Sequence, residues 1–147
     1  MYRDVLIPTD GSDASVTALN HGLEIASSMG AEVHLLHVVD VGTEMSSSAV
    51  GDIADDLTEA LDEEAEEALE QAEKMADEAG VTSERAVLEG FPEDAIPQYS
   101  ADNGIDLIVI GESEDSTLTE RLFGSTTEDV LESVTSSVLV ARNESRS

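Results

Sequence analysis

At 147 residues the chain has the size of one ordinary domain with a full hydrophobic core, and its lack of cysteine excludes disulfides, thiolate metal sites and cysteine nucleophiles. Its 34 Asp plus Glu against 6 Lys plus Arg give a net charge of -28, which excludes partners bound by neutralising phosphate: DNA, RNA and anionic lipid. An apolar fraction of 40%, falling in periodic segments, argues against disorder, so the acidity reads as adaptation to concentrated salt, where the Debye length shrinks to roughly 3 Å.

That reading predicts a halophilic, archaeal source and a fold that is lost on desalting. The check is a melting temperature compared between low and multi-molar KCl. No stretch approaches the ~20 apolar residues that span a membrane. Met1-Tyr2-Arg3-Asp4 runs into an apolar segment without a signal peptide, so the expectation is a soluble, cytoplasmic protein.

In chain order, Val5-Leu6-Ile7-Pro8 reads as a first strand, followed by the turn Thr9-Asp10-Gly11-Ser12. Ser12 or Asp13 can cap a helix running to about Met29, with Val16, Leu19, Leu23 and Ala26 on one apolar stripe and Ala18, Gly22, Ile25 and Met29 on a neighbouring one. A second strand over 33–39 ends at Asp40. Residues 40–52 are rich in Ser and Gly and read as a mobile loop. A long helix over 55–79 keeps Leu57, Leu61, Ala65, Ala68, Leu69, Ala72 and Ala76 on one face, while Glu59, Glu63 and Glu67 recur on the other as a solvated, salt-adapted surface. A third strand covers 85–89, and Pro92 opens a helix that Pro97 should distort locally.

The run Leu107-Ile108-Val109-Ile110 is apolar throughout, as in a strand covered on both faces of a parallel sheet. Gly111 ends it, a long polar loop follows, and Gly124-Ser125-Thr126 announces a helix over 126–134 whose N–H groups suit an anion. Val138-Leu139-Val140-Ala141 is the last strand. The order βαβαβαβαβ predicts an α/β fold, a single open parallel sheet with helices on both faces, as one domain over 1–142 with a polar tail over 143–147.

No G-x-x-x-x-G-K-[ST] loop is present, and no G-x-G-x-x-G follows the first strand, which disfavours Walker-type NTPases and Rossmann dehydrogenases. The three histidines, His21, His34 and His37, read as core or surface residues, and no nucleophile–base pair is identifiable. Catalytic residues are therefore expected to be none. Asp10, Asp40, Glu112, Glu114 and Asp115 invite an oxygen-ligated cation, but in so acidic a chain coincidence is the better reading, and no metal site is expected.

Val5-Leu6-Ile7-Pro8-Thr9-Asp10-Gly11-Ser12, His37-Val38-Val39, Asp106-Leu107-Ile108-Val109-Ile110-Gly111, Gly124-Ser125 and Val138-Leu139-Val140 occur in order and correctly spaced. In this the chain resembles the universal stress protein (UspA-like) family over nearly its whole length. The resemblance implies a five-stranded parallel sheet in the order 3-2-1-4-5, of the adenine nucleotide alpha hydrolase-like kind. It also implies a non-catalytic stress-response module that in many members binds ATP, here with Mg2+, and in others does not. Matching residue by residue, Asp10 and Val39 would hold the base, and Gly111, Gly124, Ser125 and Thr126 the ribose and phosphates, with Thr9 counted among the nucleotide-binding residues. Ser125 and Thr126 read equally well as caps of their own helix.

The family pattern places a second glycine three residues after Gly111, where this chain has Glu114. Glu112, Glu114 and Asp115 set carboxylates where a triphosphate would lie, each costing about 1 kcal/mol at ~4 Å even at the dielectric of water. Two readings therefore stand: a nucleotide-sensing module with a degenerate glycine loop, and a dimeric interaction or scaffold module that has lost nucleotide binding. A slow ATPase ranks behind both. An apolar last strand, Val138-Leu139-Val140-Ala141, predicts a homodimer paired through that strand, as in the resembling family.

Overall fold

The computed structural model describes residues 2–11, 13–40, 52–90, 92–111 and 134–141. The elements follow as β1 (Asp4–Pro8), α1 (Asp13–Met29), β2 (Glu32–Asp40), α2 (Asp52–Glu78), β3 (Ser83–Gly90), α3 (Pro92–Asp102), β4 (Leu107–Gly111) and β5 (Ser137–Ala141). They build one five-stranded sheet in the order β3-β2-β1-β4-β5, with every neighbouring pair parallel. The expected fold class and strand order are both borne out. The expected loops over 41–51 and 112–123, and the last helix up to residue 133, lie outside the described residues.

Period-two alternation sorts each central strand between two cores. Val5, Ile7, Val33, Leu35, Leu107 and Val109 face α1 and α2, while Leu6, Leu36, Ile108 and Ile110 face Ile96 and Tyr99 of α3. This is why β1 and β4 read as unbroken apolar runs: they are covered on both sides. Helix α2 buries Ala65, Ala68, Leu69, Ala72 and Ala76, the face its sequence period marks. Leu69 is the one large residue among them, and shortening it to Ala would cost about 2–5 kcal/mol.

Helix α1 is rotated from the expected stripes. It buries Ala14, Ser15, Ala18, Leu19, Gly22, Leu23 and Ala26, whereas Val16 is half-buried and Met29 is 39% exposed. Small residues let its backbone approach the sheet closely, and a methyl group on Gly22 would lie 2.5 Å from Ile7 Cδ1. Helices α1 and α2 stop alike, at Gly30 (φ +67°) and Gly80 (φ +71°), where the left-handed turn returns Ala31 N–H to the Ala26 carbonyl and Val81 N–H to the Ala76 carbonyl. Helix α3 continues through Pro97 to Asp102.

Sheet and helix are also joined by charge. Arg85 of β3 donates from Nη1 to both Glu66 carboxylate oxygens at 2.9 Å and pairs through Nη2 with Glu73 of α2. These hydrogen bonds hold the Glu66 carboxyl below its ordinary range and raise the guanidinium. The outer face of α2, including Glu63, Glu67 and Glu70, is exposed.

Candidate functional site at the carboxyl edge of the sheet

Strand β1 stops sooner than its neighbour. Pro8 pairs with Leu36, but β2 runs on to Asp40, so the buried Val39 stands beyond the end of β1. The chain leaving β1 is held against that extension. Thr9 N–H donates to the Leu36 carbonyl at 2.7 Å, and the Thr9 carbonyl lies 2.9 Å from His37 Nδ1. A carbonyl can only accept, so the His37 proton on this side sits on Nδ1.

Both backbone groups of Thr9 are thus satisfied, and its side chain is not. The residue is 3% exposed, and its Oγ1 has no hydrogen-bond partner among the described residues. A buried hydroxyl left unpaired costs about 1–3 kcal/mol. Asp10 follows, exposed, and Gly11 at φ +79° turns the chain into α1.

On its other side β1 pairs with β4. The register Val5↔Leu107 and Leu6↔Ile108, carried on, sets Thr9 level with Gly111. A methyl group at Gly111 would lie 1.8 Å from the Ala14 carbonyl oxygen, so the end of β4 rests directly on the first turn of α1. Only glycine fits there. The strand order β3-β2-β1-β4-β5 reverses direction between β1 and β4, and such a switch point is where open α/β sheets bind ligands.

The model of the Universal stress protein family matches residues 1–142. The chain belongs to that family. It is 37% identical to Universal stress protein MJ0531 of Methanocaldococcus jannaschii, over 97% of this chain and 83% of the relative. The solved structure of MJ0577 from the same organism superposes with a TM-score of 0.77 at 32% identity, covering 98% of each chain. A crystal structure of a universal stress protein in complex with cAMP superposes with a TM-score of 0.69 at 25% identity, over 96% of this chain and 97% of that one.

In this family member the structure brings Thr9, Asp10, Val39 and Gly111 to one edge of the sheet. Gly124, Ser125 and Thr126 lie outside the described residues, as do Glu112, Glu114 and Asp115, and the side chain of Asp40 is likewise not described. Sequence reasoning missed His37 as the residue that locks the exit of β1. Its signal was a polar residue breaking the buried alternation Val33, Leu35, Val39 at the carboxyl end of a strand. Among the described residues, no helix is long and apolar enough to cross a membrane.

Proposed function

We propose that this universal stress protein is a non-catalytic, cytoplasmic stress-response module that binds an adenine nucleotide at the carboxyl edge of β1 and β4. Thr9, Asp10 and Val39 would surround the base, and Gly111, Gly124, Ser125 and Thr126 the ribose and phosphates. The observation that supports this most is the buried Thr9 Oγ1, which has no hydrogen-bond partner among the described residues and lies at the carboxyl end of β1 beside the switch point, a polar group that calls for a partner. The cAMP complex of a structural relative agrees with it. Glu112, Glu114 and Asp115 favour a ligand with little phosphate charge, so AMP or cAMP should lose less than ATP, unless Mg2+ bridges the carboxylates and phosphates.

Calorimetric titration of cAMP, AMP and ATP with Mg2+ in molar KCl tests this, with a Glu114→Gly variant alongside. Binding by the native chain, weakest for ATP without Mg2+, is the expected result. Binding by the variant alone favours the second reading, an interaction module whose crevice has closed, which Glu114 at the family's glycine position supports. Phosphate release above the protein-free rate would contradict the non-catalytic assignment.

The proposal includes a homodimer through β5. Both outer strands expose an apolar residue, Val87 of β3 at 49% and Val140 of β5 at 37%, but β3 also exposes Glu84, Arg85 and Glu89, whereas β5 carries no charged residue. Charge guards the first edge against pairing, and the second lacks that guard. Light scattering in molar KCl should give a dimer mass that Val140→Lys reduces to a monomer. A native monomer would refute it. A halophilic source fits the -28 charge and belongs to the same proposal; relatives occur in archaea and in bacteria.

A further inference from the structure

At the opposite edge of the sheet, β1 and β2 begin with acidic residues set side by side by the register Asp4↔Glu32. His34 lies two residues beyond Glu32 and so shares its face. It is 5% exposed, beneath α3. Its Nε2 is 3.1 Å from Asp4 Oδ1, and its Nδ1 is 2.9 Å from the Tyr99 hydroxyl. One donor atom from each of Asp4, Glu32 and His34 lies within 4.8 Å of the other two.

We propose that Asp4, Glu32 and His34 form a binding site for a first-row divalent cation, Zn2+ by its donor set, which ties β1 to β2 at the amino edge of the sheet. Donors on a tetrahedral ion with bonds of about 2.0–2.2 Å stand about 3.4 Å apart, close to the Nε2 to Oδ1 separation already present. One imidazole with two carboxylates suits Zn2+ better than Mg2+ or Ca2+, which take oxygen ligands.

The surroundings resemble a metal site's outer shell. With His34 neutral, the proton on Nε2 points at Asp4 and Nδ1 accepts from the Tyr99 O–H. When Nε2 takes the ion, its proton is replaced by one on Nδ1, which donates to the same Tyr99 oxygen as that hydroxyl rotates, so one contact orients the ring in both states.

The backbone carrying the ligands is fixed as well. The Asp106 carboxylate accepts from Arg3 N–H at 3.0 Å and Asp4 N–H at 3.1 Å, and the Arg3 carbonyl accepts from Glu32 N–H at 2.9 Å. The Asp4 side chain is 32% exposed, which leaves an entry path. The site is at the other end of the strands from the nucleotide crevice and is independent of it.

The test is a titration of Zn2+ into the EDTA-stripped full chain, in molar KCl with excess Mg2+ to occupy the acidic surface, followed by calorimetry and melting temperature. The expected result is a single equivalent and a raised melting temperature. His34→Gln and Glu32→Gln should each weaken binding by more than about tenfold, Tyr99→Phe by about tenfold, and Glu63→Gln on the solvent face of α2 not at all. Uptake of several weak equivalents, or an affinity unchanged in both His34→Gln and Glu32→Gln, overturns the proposal. Should those variants not fold, the imidazole resonances of the native protein decide: Zn2+ must shift those of His34 and leave those of His21, and unshifted His34 signals overturn it.

Discussion

The two ends of the same strands are built from different materials. At the carboxyl end, backbone dominates: both main-chain groups of Thr9 are tied down, Gly11 turns the chain, and Gly111 lets β4 touch the carbonyl of Ala14. At the amino end, side chains dominate: Asp106 clasps two N–H groups, and His34 bridges Asp4 and Tyr99. Burial raises the Tyr99 hydroxyl's pKa, and the nearby Glu84 and Glu32 raise it further, a mark of the negative charge gathered there. A backbone-built end offers shape and fixed dipoles to a ligand that brings its own functional groups. A side-chain-built end concentrates charge, which suits a small cation.

The largest test of this contrast is Gly111→Ala. The added methyl meets backbone and not a flexible side chain, so about 3 kcal/mol should be lost, the upper range for overpacking, with nucleotide binding lost as well. Urea unfolding in molar KCl measures it, and a loss below about 1 kcal/mol would show that α1 moves away at little cost.

Asp106→Ala comes next. It leaves Arg3 and Asp4 N–H without their carboxylate and should cost about 1.5–3 kcal/mol in the same assay, while leaving nucleotide affinity unchanged. A matching drop in nucleotide affinity would mean that the two ends are coupled.

The smallest expected effect has the opposite sign. Thr9→Val removes a buried hydroxyl that has no partner among the described residues, so the free protein should gain up to about 1 kcal/mol, and the proposed adenine-nucleotide affinity should fall. Destabilisation by this change would show that the hydroxyl already has a partner.

Much of this architecture was legible before any coordinates. The alternation of apolar residues marks both cores, the fully apolar Leu107-Ile108-Val109-Ile110 marks a strand covered on two faces, and glycines mark the ends of α1 and α2. Asp10 and Gly111 were expected together only because the chain resembles the universal stress protein family, and the structure sets them at the same edge of the sheet. The rotation of α1 was not legible. Its two candidate stripes lie about one residue's turn apart, and the helix settles between them, burying Leu19, Leu23 and Ala26 of one and Ala18 and Gly22 of the other, with Gly22 set close to Ile7.

The sequence by itself determined which segments are strands, which faces are apolar and how strongly the whole chain is charged, because these depend on residue type and on periods of two and 3.6. Only the tertiary structure decided which polar groups meet. Thr9 and His37, His34 and Tyr99, and Asp4 and Asp106 are far apart in the chain and are joined by register between strands or by a helix laid across the sheet. A shift of one residue in that register would turn each side chain to the opposite face and dissolve both ends, so no local pattern could have announced them.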